Sequence, residues 1–184
     1  MNNYLLSIDP SIKNTGFTLW EKTKRISECE VNYNEIEYIY KWKPIFVNSY
    51  SFKNIDVHSG MQIFIINMIR KTEIITYNEL DLIIERGTFN SKNGIGYETQ
   101  EHLRGFIAGQ FNKLLTKNML ISPSSWKKWY IDNNITNISL KNWNKKISED
   151  ICFYLNEKYE WNIKISNHDE ADSLLIGWYY LNKE

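Results

Sequence analysis

The stretch Tyr4-Leu5-Leu6-Ser7-Ile8-Asp9-Pro10, with Ser11-Ile12-Lys13-Asn14-Thr15-Gly16 behind it, organises the reading of the whole chain. Leu5, Leu6 and Ile8 form a short apolar run that reads as a buried strand. Pro10 has no N–H to give to a sheet ladder, so pairing is expected to stop at Asp9 and leave its carboxylate at the C-terminal rim of the sheet. Asn14 and Gly16 are turn residues that let the chain fold back into Phe17-Thr18-Leu19-Trp20, a second strand. Alone, this is a hairpin with an acid in its turn. Its meaning depends on partners elsewhere in the chain.

Leu80-Asp81-Leu82-Ile83-Ile84-Glu85 repeats the pattern, a short apolar run that ends in an acid. A run buried on both faces is typical of a central parallel strand. Parallel neighbours place their C-terminal ends on one rim, where α/β sites are built, so Asp9 and Glu85 are expected side by side. Asn167-His168-Asp169-Glu170-Ala171-Asp172 then opens the last helix, with Asn167 as N-cap and Glu170 as the reciprocal partner of a capping box. Ala171, Leu174, Leu175, Trp178 and Leu181 supply its apolar face. Asp169 and Asp172 stand three apart, on nearly the same side of a first turn whose partial positive charge favours carboxylates. Acids in a first turn commonly serve the helix dipole alone; the conjunction with two strand ends is what points to a site.

Between these landmarks the pattern alternates sheet and helix. Residues 21–58 contain strand-like pieces, Glu37-Tyr38-Ile39-Tyr40 and Ile45-Phe46-Val47 with Pro44 between them, expected to form a twisted antiparallel region. Met61 to Ile75 fits a helix packed on the sheet, with Met61, Ile65, Met68 and Ile69 on one face and Ile63, Phe64 and Ile66 as a second set, before a connection with Asn78. Gly87 to Gly96 has the glycines and small polar residues of a mobile loop carrying one aromatic, Phe89. A helix from about Thr99 to Leu115 follows, with Leu103, Phe106, Ile107, Gln110, Phe111 and Leu114 at helical spacing. In it, Gly105 and Gly109 are expected to allow a close approach to the sheet. Met119-Leu120-Ile121 reads as a strand stopped by Ser122-Pro123-Ser124, and Leu140 to Tyr159 as a helix after the polar loop Asn133–Asn137. Asn162-Ile163-Lys164-Ile165 reads either as a short strand or as a linker.

With 184 residues and no internal repeat, a single α/β domain spanning residues 1–184 is expected. Cys29 and Cys152 are far apart and no CxxC or HxxxH pair exists, which argues against a disulfide framework and a zinc site and for a reduced, cytoplasmic protein. The apolar start is too short for a signal peptide and no run approaches about 20 apolar residues, so no membrane role is expected. Net charge is zero, yet the charges are segregated. From Lys92 to Lys146 basic residues far outnumber Glu98, Glu101 and Asp132, and Lys127, Lys128, Lys141, Lys145 and Lys146 sit among Trp126, Trp129, Tyr130 and Trp143. Such interleaving suits phosphate neutralisation beside base stacking.

If the four acids meet, they make an all-oxygen site that needs cations, and hard oxygen ligands without thiols select Mg²⁺ or Mn²⁺. Four carboxylates suffice for two ions, the arrangement that serves in-line phosphodiester displacement. At this point the sequence resembles the RuvC-type Holliday junction resolvases of the ribonuclease H-like superfamily. The resemblance rests on Ile8-Asp9-Pro10-Ser11-x-x-Asn14-Thr15-Gly16, on Ile83-Ile84-Glu85 followed closely by Phe89, and on His168-Asp169-x-Ala171-Asp172. It implies a ribonuclease H-like fold, with a mixed central sheet whose first strands are antiparallel and whose later strands are parallel, flanked by helices.

The resemblance further implies that Asp9, Glu85, Asp169 and Asp172 are the catalytic acids and hold two Mg²⁺ ions, with Mn²⁺ able to substitute. Phe89, one residue further from the glutamate than in the family, takes the place of its branch-point aromatic. Lys127, in Ser122-Pro123-Ser124-x-x-Lys127, matches a lysine that contacts DNA near the cut. A second such lysine is Lys141, Lys145 or Lys146, and spacing does not choose. Lys92 and Lys128 complete the candidate DNA contacts. The implied partners are branched DNA, four-way junctions above all, and a second copy in a two-fold dimer, for which the helix carrying Leu103 to Leu114 is a candidate interface. An Asn-, Ile- and Lys-rich chain of this kind resembles a phage or mobile-element version, which would act in the bacterial host cytoplasm.

Rival readings predict other features. An ATPase of the actin and hexokinase-like type also opens with an aspartate before a Thr-Gly turn, but requires a second Asp-Gly-rich phosphate turn that this chain lacks. A non-catalytic junction-binding module would not need all four acids. A nuclease acting on flaps or RNA–DNA hybrids would keep the acids and change the substrate.

Overall fold

The computed structural model describes residues 2–11, 13–26, 38–51, 57–72, 80–87 and 94–183. Cys29, Asn78, Phe89 and Lys92 lie outside the described residues. Among those described, the order of elements is β1 (Tyr4–Asp9), β2 (Asn14–Ile26), β3 (Tyr38–Ser51), α1 (Val57–Thr72), β4 (Leu80–Glu85) and α2 (Gly94–Gln110). Then come β5 (Leu120–Ile121), α3 (Pro123–Asp132), α4 (Lys145–Tyr159) and α5 (His168–Asn182). The strands form one sheet in the order β3-β2-β1-β4-β5. β1 and β3 pair antiparallel with β2, whereas β4 pairs parallel with β1 and β5 parallel with β4. This is the mixed sheet expected of a ribonuclease H-like fold.

Strand periodicity sorts the side chains into two cores. Leu6, Ile8, Phe17, Leu19, Leu82 and Ile84 face one layer, covered by Met61, Ile65 and Met68 of α1 and by Leu103, Ile107 and Phe111 of α2. Leu5, Trp20 and Ile83 face the other, covered by Trp126 and Tyr130 of α3, Ile151 and Leu155 of α4, and Ala171, Leu174 and Leu175 of α5. Because β1 is buried on both faces, a one-residue slip would put Leu6 or Ile8 in the place of Ser7 and leave the buried polar partners of Ser7 unpaired, which opposes the slip.

The α5 layer approaches the sheet through a small polar seam. Ser7 Oγ donates to the Ser173 carbonyl at 2.7 Å and accepts from Trp20 Nε1 at 3.0 Å, while the Thr18 and Ser173 hydroxyls bond at 2.8 Å. A Cβ at Gly177 would overlap Trp20 Nε1 and crowd Ser7 Oγ. The close approach expected at Gly105 and Gly109 is therefore made elsewhere: both are exposed, and a Cβ on either would meet nothing within 4 Å.

Other expectations shift in detail. Leu114 lies beyond the end of α2 and is 87 % exposed, because Asn112 takes a left-handed conformation (φ 53°) that turns the chain away from the helix. Leu103, Ile107 and Phe111 belong to the chain's own core. In α1 the second set divides, since Phe64 packs against Phe17 while Ile63 and Ile66 are exposed. The Trp- and Lys-rich segment after Ile121 is a helix, α3, with Pro123 in its first turn. The helix expected from Leu140 begins only at Lys145, capped by the Asn144 side chain, after a separate single turn at Leu140–Asn142. Residues 162–165 form no strand; Asn156 ties this linker down by accepting from Ile163 N and donating to its carbonyl.

Candidate active site

The backbone brings the four acids to one rim. Ile8 is in register with Ile84, so Asp9 and Glu85 end neighbouring parallel strands, and β1 pairing stops where Pro10 begins. Asp9 is paired across the hairpin with Gly16. The described glycines have no positive φ, so Gly16 is not needed for an unusual turn. It is needed for space, because a Cβ there would overlap the Asp169 carbonyl. The absence of a side chain at Gly16 seats the first turn of α5 against the hairpin that carries Asp9.

The start of α5 is held by a local network. Asn167 Oδ1 accepts from Glu170 N at 3.0 Å, as an N-cap should. Glu170 does not close the box on the cap residue's own N–H: its Oε2 accepts from Ser166 N at 2.7 Å and its Oε1 from Ser49 Oγ at 2.9 Å, which ties the helix to β3. Asp169 Oδ2 accepts from Asn14 Nδ2 at 2.7 Å, and its Oδ1 lies 3.2 Å from His168 Nε2. Asn14 therefore has two jobs: it opens β2 and it orients an acid of α5.

The acids share one electrostatic field. Burial in the rim pushes Asp9 well above the usual carboxylate range, and Glu85, Asp172 and Asp169 push it further. Glu85 is raised by burial first and by the charge of Asp172, while the neighbouring Asp9 carboxyl and the charge of Lys127 oppose the rise. Asp172 is also raised by burial, against the Ser148 hydroxyl, Lys127 and His168, while Asp169 adds to the rise. Asp172 Oδ1 is buried and, among the described residues, has no hydrogen-bond partner.

As the side chains stand, no three of the described acids, histidines and cysteines converge closely enough to cage a metal ion. The donor set nevertheless fits a hard divalent cation. It is all oxygen, it contains an unpartnered buried carboxylate oxygen, and its carboxylates raise one another through charge that a cation would offset.

Among the described residues two cations serve this rim, and the sequence pattern pointed to only one of them. Arg104, only 3 % exposed, donates from Nε to the Glu85 carbonyl at 2.7 Å and pairs through Nη1 with Glu101 Oε1 at 3.0 Å. It fixes the end of β4, and its charge is felt together with those of Glu85 and Asp9. Gly87 leaves room for this pair, since a Cβ there would come within 2.8–2.9 Å of both partners. The sequence held a signal, an i, i+3 Glu101/Arg104 pair whose arginine falls between the apolar Leu103 and Ile107. The second cation, Lys127, lies with its Nζ 4.9 Å from the Trp126 ring and 5.9 Å from the Trp143 ring, and stabilises both Glu85 and Asp172. Trp143 Nε1 donates to Ser148 Oγ at 3.0 Å, linking this aromatic wall to Asp172. The other candidate lysines differ: Lys128, Lys141 and Lys145 are exposed, and Lys146 is paired with Asp150 at 2.7 Å.

The fold and the rim define the class: an α/β protein of ribonuclease H-like fold with four acids gathered at the strand ends and the start of the last helix. No protein-family model and no curated protein matches the sequence. Among solved structures the chain is similar to Thermus thermophilus RuvC, with a TM-score of 0.54 and 10 % identity over 97 % of this chain and 95 % of that one, in a complex with Holliday junction substrate. A second structure of Thermus thermophilus RuvC gives 0.53 over the same shares. Fowlpox virus resolvase, in complex with Holliday junction DNA, is 19 % identical over 98 % of this chain and 97 % of its own, at a TM-score of 0.42. The chain has the fold of the RuvC-type resolvases.

Proposed function

We propose that this protein is a Mg²⁺-dependent endonuclease that hydrolyses phosphodiester bonds in branched DNA, with four-way junctions as its target. The observation that carries the reading is the placement of Asp9, Glu85, Asp169 and Asp172 along one rim, near enough for the other three to raise Asp9, on a fold like that of RuvC. Asp9, Glu85, Asp169 and Asp172 would hold two Mg²⁺ ions, or Mn²⁺ in their place, which supply a deprotonated water and stabilise the charge that develops on the scissile phosphate. The chain's own residues do the rest. Arg104 and the strand ladder orient Glu85, Asn14 and His168 orient Asp169, and Lys127 on its aromatic wall offers a cation to a backbone phosphate. Phe89 stacks on a base at the branch, and Lys92, Lys128, Lys141 and Lys145 contact the arms. Resolution requires paired nicks, so the working unit is a homodimer with two such sites, acting in the cytoplasm.

The test is incubation of the purified protein with Mg²⁺ and four substrates: a synthetic four-way junction, a flap, a plain duplex and an RNA–DNA hybrid. Symmetric nicking of the junction, lost with EDTA, is expected. Cutting confined to the hybrid or the flap would reassign the substrate, and no cutting of any of them would remove the enzyme reading.

A further inference from the structure

β5 is the edge strand of the sheet, and a groove of about 700 Å³ runs beside it. None of the four acids lines it, but Arg86 does, and Arg86 directly follows Glu85 in the chain, with its N–H donating to the Ile121 carbonyl at 2.7 Å. Three exposed cations line it, Arg86 after β4, Lys117 before β5 and Lys183 after α5. Among the described residues none of the three is in an ion pair. The lining acid is Glu101, whose charge is already engaged by Arg104 at 3.0 Å. Ser122 and Ser125 stand at the start of α3, beside the positive end of that helix, and the Ser122 hydroxyl bonds to Ser124 Oγ at 2.8 Å and caps no backbone N–H. Lys183 rests its ammonium 4.3 Å from the Tyr180 ring, which holds the charge at the wall of the groove.

Uncompensated cations, hydroxyl donors and tyrosine walls suit a polyanion of alternating phosphates and bases. We propose that this groove carries a phosphodiester strand of the DNA away from the acids. The proposal rests on the nuclease reading above and deepens it by naming a path, with Arg86, Lys117 and Lys183 as phosphate-binding groups that the basic Lys92–Lys146 segment largely omits. An acidic peptide added along the β5 edge is the competing occupant.

Binding of a labelled four-way junction is measured by fluorescence anisotropy across a salt series, with Ca²⁺ replacing Mg²⁺. Replacing Arg86, Lys117 and Lys183 together by alanine is expected to lower the slope of log affinity against log salt by about 0.9 for each phosphate that is no longer neutralised. Affinity at about 0.1 M salt, where the Debye length is ~10 Å, should fall at least tenfold. The charge-keeping variant R86K/K117R/K183R should retain the wild-type slope. An unchanged slope in the alanine variant, with the wild type binding normally, overturns the groove and leaves the nuclease reading intact. A wild type that binds no junction removes both. If polyglutamate, and not DNA, loses affinity for the alanine variant, the groove is a protein-docking edge and the proposal falls.

Discussion

Asp9 and Glu85 are positioned in one way, Asp169 and Asp172 in another. The strand pair is fixed by the hydrogen-bond ladder at the ends of the two strands, and burial and mutual charge raise both of its carboxyls. The helix pair depends on how closely α5 packs on β1 and β2, through Gly16 at its start and the Ser7, Thr18, Ser173 and Gly177 seam further along. The lesson is that one pair is limited by charge and the other by space. Substitutions that change charge should act chiefly on the strand pair, and substitutions that change volume on the helix pair.

The largest effect is expected at the charge-limited pair. Asp9→Asn should reduce cleavage by more than about 100-fold, roughly 3 kcal/mol of barrier, because an amide is a weak ligand of nearly the same shape. The same change should raise the metal-free melting temperature at neutral pH. The folded pKa of Asp9 is raised, so between the ordinary carboxylate value and the folded one the native state binds more protons than the unfolded chain, and stability falls as pH rises through that window. Wild-type melts in EDTA should therefore be higher near pH 5 than at pH 7 as far as this group decides, and Asp9→Asn should flatten the difference. A variant that melts lower than wild type in EDTA would mean that the carboxylates do not repel one another.

Next comes Arg104→Met, which strips the Glu85 carbonyl and Glu101 of their shared partner. Breaking a buried ion pair costs about 3–5 kcal/mol, and the partial exposure of Glu101 places this one at about 3 or somewhat below. Urea midpoints should show the loss, and Arg104→Lys should recover part of it. A loss under about 0.5 kcal/mol, the size usual for surface changes, would make Arg104 a bystander.

A smaller effect, of about 1–3 kcal/mol, is expected from the overpacking variants Gly16→Ala and Gly177→Ala. The two should part company in activity. Gly16→Ala forces the start of α5 away from the hairpin and should depress cleavage beyond its effect on stability. Gly177→Ala disturbs the seam two turns further on and should leave cleavage per folded molecule nearly intact. Equal activity losses per folded molecule would erase the distinction between the start of α5 and its middle.

The smallest effect carries the opposite sign. Gly105 and Gly109 lie exposed in α2 with open space around them, so Gly105→Ala should stabilise the protein by about 0.5–1 kcal/mol through helix propensity alone. A destabilised Gly105→Ala would place a neighbour against α2 that the described residues do not include.

The features that the sequence determined by itself are those whose cause is local. Pro10 has no N–H, so β1 ends at Asp9; the unbroken apolar run ending in Glu85 announces a central strand; Asn167 prefers a cap to a helix interior. These placed the four acids at strand ends and a helix start. Only the tertiary structure decided what volume and burial require. α2 carries apolar residues on more than one face, and periodicity alone does not say which face meets the sheet, so its glycines were expected against the strands and are found in solvent. Gly16 was expected for its turn conformation and serves instead as a seat for Asp169, a residue more than 150 positions away. Arg104 is a surface residue by composition and becomes buried because a carbonyl at the end of β4 and the Glu101 carboxylate together replace its water. Local chemistry is written residue by residue, whereas the space between two elements exists only once both are in place.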